Sequence, residues 1–330
     1  MLVIFYKTLI TIIFSVISVF APFLSNVVQT DLVPLDAENV NLTFAAISDT
    51  HMNEDESRLF LLKLGLCDMH NAKRPLDAFV LSGDITHHAY EEHWSMLKKG
   101  FDAYSPAENI IFSIGNHDTW GGDYGVRVGL SHERFFRYSK EIGKRDISKV
   151  YYSTKINGYT FIVLGSEDDG ENAYISEAQL TWLESELEKA AADNLPIFVV
   201  LHQPINLTHG LPDSWGIGEP TEFKGGIGAQ SAQVEALLQQ HKNIFYISGH
   251  IHNDVANAQT AELSGYESVE TYGNITSVNL PAYSFARSHG ETAKGRGFVF
   301  EVYDDEVVIR TRSFTNGLWY PQYTYTIPIK

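Results

Sequence analysis

Side chains that can bind metal ions follow five apolar segments of the sequence, each at the point where the segment ends. They are Asp49 with His51, Asp84, Asn116 with His117, His202, and His250 with His252. Carboxylate, imidazole and amide groups suit manganese, iron or zinc rather than a thiolate-selective site. Seven or so such ligands exceed the needs of one tetrahedral ion and fit two ions that share a carboxylate, for which Asp84 is the natural bridge.

Two divalent ions roughly 3.5 to 4 Å apart are an arrangement used to hydrolyse phosphate esters, because together they clamp the attacking and leaving oxygens of an in-line displacement. Metal binding also lowers the pKa of coordinated water, so that a hydroxide is available near neutral pH. The ligand pattern therefore predicts a binuclear phosphoesterase in which a metal-bound hydroxide attacks a small phosphorylated substrate, either a phosphodiester or a phosphomonoester.

The apolar segments that carry these residues are predicted to be buried β-strands. Polar turns and helical segments alternate with the first three strands, which is typical of crossover units in a largely parallel sheet, whose strand ends meet on one side. Residues i and i+2 of an extended segment point the same way. We therefore expect Asp49 and His51 to share one ligand cluster, and His250 and His252 to share one as well.

Antiparallel strands are predicted for later parts of the chain. Asn157-Gly158 favours a tight hairpin, and residues 255–330 contain mostly strand-like segments, including Gly297 to Tyr303 and Val307 to Phe314. Two connections are long, residues 119–149 and 207–230. Each could either cover the site or form an ordinary surface segment, and the sequence favours neither.

Charge and the N-terminal segment limit the partners and the location of the protein. A net charge of −17 over 330 residues argues against nucleic acid as the main partner, because phosphate backbones need a basic surface.

Thr8 to Thr30 is uncharged and apolar and follows Lys7, which predicts a signal peptide or an N-terminal signal anchor in residues 1–30. We expect an extracytoplasmic protein, secreted or anchored in the membrane through residues 8–30, with a single domain over residues 31–330.

The ordered blocks D-x-H, G-D, G-N-H-[DE], H and G-H-x-H resemble those of the calcineurin-like metallophosphoesterases over Asn41 to Asp254. The resemblance implies an α/β fold, a four-layer αββα sandwich of two mixed β-sheets flanked by helices, in which residues 255–330 complete the second sheet. It also implies the ligands of two divalent ions (Mn, Fe or Zn): Asp49, His51, Asp84 and His252 for the first, and Asp84, Asn116, His202 and His250 for the second.

The same resemblance implies that His117 stabilises the transition state or protonates the leaving oxygen, and that Asp118 supports the turn. His87 stands where purple acid phosphatases have an iron-binding tyrosine, so a tyrosinate site is not expected. The block Leu201 to Pro204 is most similar to class III cyclic-nucleotide phosphodiesterases and their bacterial relatives. An extracytoplasmic nucleotidase, a hydrolase of cell-envelope phosphate esters, and a catalytically idle surface binding protein on the same scaffold are the alternatives.

Overall fold

Two β-sheets packed face to face form the centre of the protein, in a computed structural model that describes residues 28–29, 31–120, 128–215, 223–257, 265–284 and 294–330. The strands are β1 (Val28–Gln29), β2 (Leu42–Ile47), β3 (Leu76–Ser82), β4 (Ala107–Ser113), β5 (Tyr152–Ile156), β6 (Tyr159–Val163), β7 (Ile197–Val200), β8 (Ile244–Ser248), β9 (Val269–Tyr272), β10 (Ile275–Asn279), β11 (Arg296–Val302), β12 (Glu306–Ser313) and β13 (Leu318–Pro328). The helices are α1 (Glu56–His70), α2 (Glu91–Ala103), α3 (Val128–Gly143), α4 (Glu177–Ala191) and α5 (Ser231–Leu238).

The first sheet has the strand order β1-β13-β12-β11-β2-β3-β4. Strands β2, β3 and β4 are parallel, as expected for strands joined by helical crossovers. Strand β11 pairs antiparallel with β2, and β12, β13 and β1 continue this antiparallel half. The sheet is therefore mixed, with its parallel half formed by the segments that precede Asp49, Asp84 and Asn116.

The second sheet has the order β5-β6-β7-β8-β10-β9, with parallel pairing from β6 to β10 and an antiparallel strand at each margin. The predicted hairpin at Asn157-Gly158 joins β5 to β6, and both residues have positive φ (49° and 88°), as tight hairpin turns require. We call the side of the molecule at which β2, β3, β4, β7 and β8 end the ligand edge.

Phenylalanine side chains from both sheets fill the space between them. Phe44 of β2 stacks on Phe300 of β11 with ring centroids 4.4 Å apart. It also meets Phe198 of β7 and Phe161 of β6 edge-on, at 4.9 and 5.2 Å. Such pairs stabilise by roughly 0.5 to 1.5 kcal/mol each beyond the burial of their area. This aromatic core fixes the two sheets to each other, and so fixes the distance between ligands carried by different sheets.

Helices cover the outer face of each sheet. Leu62 of α1, Leu97 of α2 and Phe135 of α3 belong to the core on the first sheet. Leu183 of α4 and Val234 of α5 belong to the core on the second. The layers are thus helix, sheet, sheet and helix, which confirms the predicted four-layer α/β sandwich.

The strands after residue 254 divide between the sheets. Strands β9 and β10 complete the second sheet as predicted, whereas β11, β12 and β13 join the first sheet. The expectation that residues 255–330 complete the second sheet is therefore wrong for these three strands. Their alternating pattern predicts strands, but the choice of sheet depends on the pairing of β11 with the distant strand β2.

No helix among the described residues is long and apolar enough to cross a membrane. Of the apolar run Thr8 to Thr30, only Val28 and Gln29 lie within the described residues. The predicted signal peptide or anchor in residues 1–30 therefore falls almost entirely outside the part of the chain that the structure describes.

Candidate metal centre

The two sheets converge at the ligand edge and bring the predicted ligands together. Asp49, Asp84 and Asn116 directly follow the parallel strands of the first sheet, and His202 and His250 follow β7 and β8 of the second. The Nε2 atom of His202 lies 3.2 Å from Oδ1 of Asp84, so side chains from opposite sheets are in contact. All seven predicted metal-binding residues are buried, and none exposes more than 5% of its surface.

A first cluster comprises Asp49, His51, Asp84 and His252, whose ligand atoms all lie within 4.8 Å of one another. The Nε2 atoms of His51 and His252 are 3.0 Å apart. Nε2 of His252 lies 2.9 Å from Oδ1 of Asp49, and Nε2 of His51 lies 3.6 Å from Oδ2 of Asp84. The arrangement presents two imidazole nitrogens and two carboxylates to one point, as a divalent transition metal requires.

A second cluster comprises Asp84, His202 and His250 within the same distance limit, so Asp84 belongs to both clusters. Asn116 precedes His117, whose backbone N–H donates to Oδ1 of Asp84 at 2.9 Å, so the chain next to Asn116 is in contact with this cluster. The geometry therefore places Asp84 where a carboxylate shared between two ions would lie.

His250 and His252 belong to different clusters, as the family resemblance implies and contrary to the expectation from strand alternation alone. That expectation assumed an extended backbone after the strand, whereas His250 and His252 have φ values of 73° and 61°. Asp49, His51 and Asp84 also have positive φ, at 57°, 42° and 44°. Non-glycine residues rarely adopt this region, and such backbone strain is concentrated at functional sites. The two histidines therefore do not alternate along an extended strand, as the alternation argument assumed.

Backbone groups hold several of the ligands in place. Oδ2 of Asp49 accepts the backbone N–H of His250 at 3.1 Å, which links the ends of β2 and β8 across the two sheets. Nδ1 of His202 lies 2.8 Å from the carbonyl oxygen of Ser82. A carbonyl only accepts, so Nδ1 of His202 carries the hydrogen and Nε2 is the nitrogen available to a metal.

The donor set fits two metal ions. Among the described residues, the buried Oδ1 of Asn116 and Nε2 of His250 have no hydrogen-bond partner. Burial lowers the pKa of His51 and of His250 well below the usual value, so both imidazoles are neutral and able to coordinate. Burial opposes a charge on His202 as well, yet the carboxylates of Asp84 and Asp49 raise its pKa to about 9. The negative field that favours a proton there also favours a metal cation.

Gly115 allows the strand ends to approach each other this closely. A Cβ atom at this position would lie 2.2 Å from the backbone nitrogen of Asp84 and 2.3 Å from its Oδ1. The glycine of the G-N-H-D block is therefore needed because the neighbouring strand end passes against it, and any larger residue would displace the shared carboxylate.

His117 faces the two clusters without belonging to the predicted ligand set. Its Nδ1 lies 2.9 Å from the carbonyl oxygen of His87 and therefore carries a hydrogen, while Nε2 lies 4.0 Å from Oδ2 of Asp84. The side chain keeps 18% of its surface exposed. An imidazole fixed through Nδ1, with Nε2 directed toward the clusters and open to solvent, can reach a bound substrate and transfer a proton.

Asp118 supports the turn rather than facing the clusters. Its carboxylate accepts the backbone N–H groups of Gly115 (2.9 Å), Ile85 (3.1 Å) and Thr86 (2.7 Å), and the hydroxyl of Thr86 (2.9 Å). Burial and the nearby charge of Asp84 raise the pKa of Asp118 to about 6, against the opposite effect of these donors. Asp118 thereby ties the end of β4 to the turn that carries Asp84.

Aromatic residues that the ligand pattern does not reveal flank the clusters. Trp120 packs against His117 with centroids 4.3 Å apart, and its Nε1–H donates to the carbonyl of Asp169. Trp215 stacks on His250 at 4.4 Å. Both long connections therefore reach the site, although residues 121–127 and 216–222 lie outside the described part. His87 stacks on His117 at 5.3 Å, so the residue at the tyrosine position of purple acid phosphatases adjoins the site.

Comparison with known proteins relates this chain to phosphoesterases. A family profile described as calcineurin-like phosphoesterase matches residues 42–254, well over half of the chain. No curated protein matches the sequence significantly.

Two solved structures are similar in fold. A dimetal phosphatase from Danio rerio has 15% identity and a TM-score of 0.59, covering 88% of this chain and 100% of that one. GAP50 of Plasmodium, described as the anchor in the inner membrane complex, has 16% identity and a TM-score of 0.56, covering 88% and 89%. These likenesses establish the fold, and the profile match establishes the family. The chain belongs to the calcineurin-like phosphoesterase family and is a hydrolase of phosphoesters.

Proposed function

We propose that this protein hydrolyses a phosphodiester or phosphomonoester by in-line displacement at phosphorus, with one divalent ion in each cluster. The observation that carries the proposal is the position of Asp84, whose carboxylate belongs to both clusters while its backbone and Oδ1 are held by neighbouring strand ends. A shared carboxylate keeps two ions close enough to act on one phosphoryl group.

The ions would supply Lewis acidity, offsetting phosphoryl charge and lowering the pKa of coordinated water. This chain's own residues would do the rest. Asp49, His51 and His252 would hold one ion, and Asn116, His202 and His250 the other. His117 would donate a proton from Nε2 to the leaving oxygen, since the carbonyl of His87 holds its Nδ1–H and orients the ring.

The test is metal analysis combined with hydrolysis of two synthetic esters. The purified full-length chain should contain close to two transition-metal ions, and manganese should restore hydrolysis of p-nitrophenyl phosphate or bis-p-nitrophenyl phosphate after chelation. A protein that binds no metal and hydrolyses neither ester with manganese present would refute the proposal. Retention of two ions without hydrolysis would instead favour a catalytically idle binding protein on this scaffold.

Comparing kcat/KM for three classes of ester reduces the number of candidate natural substrates. Cyclic AMP, AMP and glycerophosphodiesters represent the cyclic-nucleotide phosphodiesterase, nucleotidase and envelope-ester alternatives. A catalytically idle binding protein is disfavoured because its ligand set would be expected to decay, whereas all seven predicted ligands are present and buried here. The class with the highest kcat/KM identifies the substrate group, and equal rates on all three would contradict a dedicated cyclic-nucleotide enzyme.

A further inference from the structure

A further group of histidines adjoins the first cluster. Ring nitrogens of His51, His87 and His117 lie within 4.8 Å of one another. The rings of His87 and His117 are stacked with centroids 5.3 Å apart, and the ring of His87 meets that of His51 edge-on at 5.7 Å. His87 therefore lies next to both a predicted metal ligand and the proposed proton donor.

The side chain of His87 has an unused hydrogen-bonding atom in this group. Its Nδ1 is shielded from solvent and has no hydrogen-bond partner among the described residues. The backbone of His87 is fixed, because its N–H donates to the carbonyl of Met52 at 2.9 Å and its carbonyl accepts the Nδ1–H of His117. Buried polar atoms in folded proteins nearly always have a partner. A buried imidazole nitrogen that no protein group satisfies is available to a bound molecule.

Arg58 brings a positive charge to the same group. Its guanidinium donates to the backbone carbonyl of His51. Burial lowers the pKa of His87 to about 4, and the charges of His88, His117 and Arg58 act in the same direction, so the guanidinium is close to the His87 ring. The histidine group and Arg58 together form a positive region beside the first cluster.

The carboxylates nearest to Arg58 in the sequence bind other groups. Oδ1 of Asp55 accepts the backbone N–H of Ser57 at 2.8 Å and so caps α1. Oε2 of Glu54 lies 3.1 Å from Nε2 of His93. Among the described residues, the guanidinium of Arg58 consequently forms no ion pair with a carboxylate.

The other arginines of the described residues show how unusual this is. Six of the eight form ion pairs with aspartate or glutamate, and Arg145 packs against the ring of Tyr152. Arg58 is partly buried in a protein with a net charge of −17, yet it has only the carbonyl of His51 as a partner. A guanidinium has five N–H donors in a planar fork that matches the oxygens of a phosphoryl group. Arg58 is thus suited to bind an anion next to the metal centre.

We propose that Arg58 and His87 form an oxyanion subsite beside the first cluster and make this protein a phosphomonoesterase; the inference rests on the proposed function and deepens it. A monoester has three non-bridging oxygens and up to two negative charges, whereas a diester has two such oxygens and one charge. Because His117 reaches the leaving oxygen, the stacked ring of His87 is a neighbour of the same phosphoryl group. A positive charge and a hydrogen-bond donor there stabilise the additional oxygen of a monoester, and the second ester group of a diester would leave them unsatisfied.

The preference is measured with p-nitrophenyl phosphate and ethyl p-nitrophenyl phosphate, using the full-length chain with manganese. The two esters share a leaving group and differ only in the esterification of one oxygen. We expect kcat/KM to be higher for the monoester by about tenfold or more. An equal or higher value for the ethyl ester would overturn the inference, while two bound ions and hydrolysis of that ester would leave the proposed function intact. A protein that binds no metal and hydrolyses neither ester would refute both.

Arg58→Met removes the charge and keeps most of the apolar stem of the side chain. The ratio of monoester to ethyl-ester kcat/KM should fall by about 10- to 100-fold, the range for loss of a hydrogen bond to a charged group, with two ions still bound. Arg58→Lys should restore part of the ratio, because lysine keeps the charge without the planar fork. Arg74→Met is the control and should leave the ratio unchanged, since Arg74 is also partly buried but pairs with Asp77 near the start of β3. Equal losses on both esters in Arg58→Met would show structural damage at His51 and would refute the subsite.

Binding without turnover is measured by calorimetry with inorganic phosphate and dimethyl phosphate. Arg58→Met and His87→Ala should each raise the Kd of phosphate by about tenfold or more and should change the Kd of dimethyl phosphate less. His87→Asn, whose amide can donate from a position near that of Nδ1, should bind phosphate more tightly than His87→Ala. Unchanged phosphate binding in both Arg58→Met and His87→Ala would overturn the inference.

Metal analysis separates an oxyanion subsite from a third ion position. Three histidine nitrogens can also hold a metal ion, but the group of His51, His87 and His117 contains no carboxylate to offset a third dication beside two others. We expect two ions per chain both in the wild type and in His87→Ala. Three ions in the wild type and two in the variant would assign this group to a metal and refute the subsite.

Discussion

The two sheets contribute different chemistry to the same site. The first sheet supplies both carboxylates, the imidazole of His51, the amide of Asn116 and the proposed proton donor His117, whereas the second supplies only imidazoles, from His202, His250 and His252. A carboxylate has two oxygens and can serve two ions, while an imidazole serves one. The first sheet therefore couples the two ion positions, and the second sheet adds ligands to each position separately.

Asp84→Asn tests that coupling most severely. Loss of the shared carboxylate should remove both ions and lower activity by roughly 10⁴-fold or more, because nearly all charge stabilisation depends on them. Metal analysis and kcat/KM provide the measurement. Asp77→Asn, near the start of the same strand, is the control and should keep both ions. Retention of either ion at full occupancy in Asp84→Asn would contradict a shared ligand.

His117→Ala should separate catalysis from metal binding on the first sheet. We expect two ions per chain and a loss of turnover of roughly 10²- to 10⁴-fold, the range for a general acid. The loss should be smaller for a p-nitrophenyl ester, whose leaving group needs little protonation, than for an alkyl ester. His70→Ala, at the exposed end of α1, serves as the control. Loss of metal in His117→Ala would assign this histidine to the ligands.

His250→Ala and His252→Ala should each weaken one ion and spare the other, because the two residues lie in different clusters. We expect activity to fall by about 10²-fold in each, since one ion still offsets part of the phosphoryl charge. Metal titration monitored by calorimetry should show one retained high-affinity site in either variant. Loss of both sites in one of them would mean that the second sheet also couples the ions.

Asp118→Asn should have the smallest effect of this series. The asparagine side chain would place its own N–H donor against backbone N–H groups that need an acceptor. The free energy of unfolding should therefore fall by about 2 kcal/mol. Metal content should stay near two per chain, with turnover reduced by about tenfold through misplacement of His117. Chemical denaturation and metal analysis provide the measurement. An unchanged stability would show that the four hydrogen bonds of Asp118 do not hold the turn.

Much of the site could be predicted from the sequence, because short polar blocks follow strongly apolar strands. That pattern is local, and it identified the ligand types, their order and the likeness to calcineurin-like phosphoesterases. The contacts of Trp120 and Trp215 with His117 and His250 were not predictable, since both tryptophans come from long connections without periodicity. Three of the four hydrogen bonds of Asp118 join it to Ile85 and Thr86, more than 30 positions away, and carry no local signal.

The sequence by itself determined which chemical groups stand at the strand ends, because strand periodicity and turn composition act over a few residues. The family resemblance already assigned His250 and His252 to different ions, whereas only the tertiary structure showed the left-handed backbone at both residues, which an extended pattern cannot indicate. It also decided that β11 to β13 extend the first sheet, with β1 at its margin. The placement of these strands depends on the pairing of β11 with the distant strand β2, which local patterns do not specify.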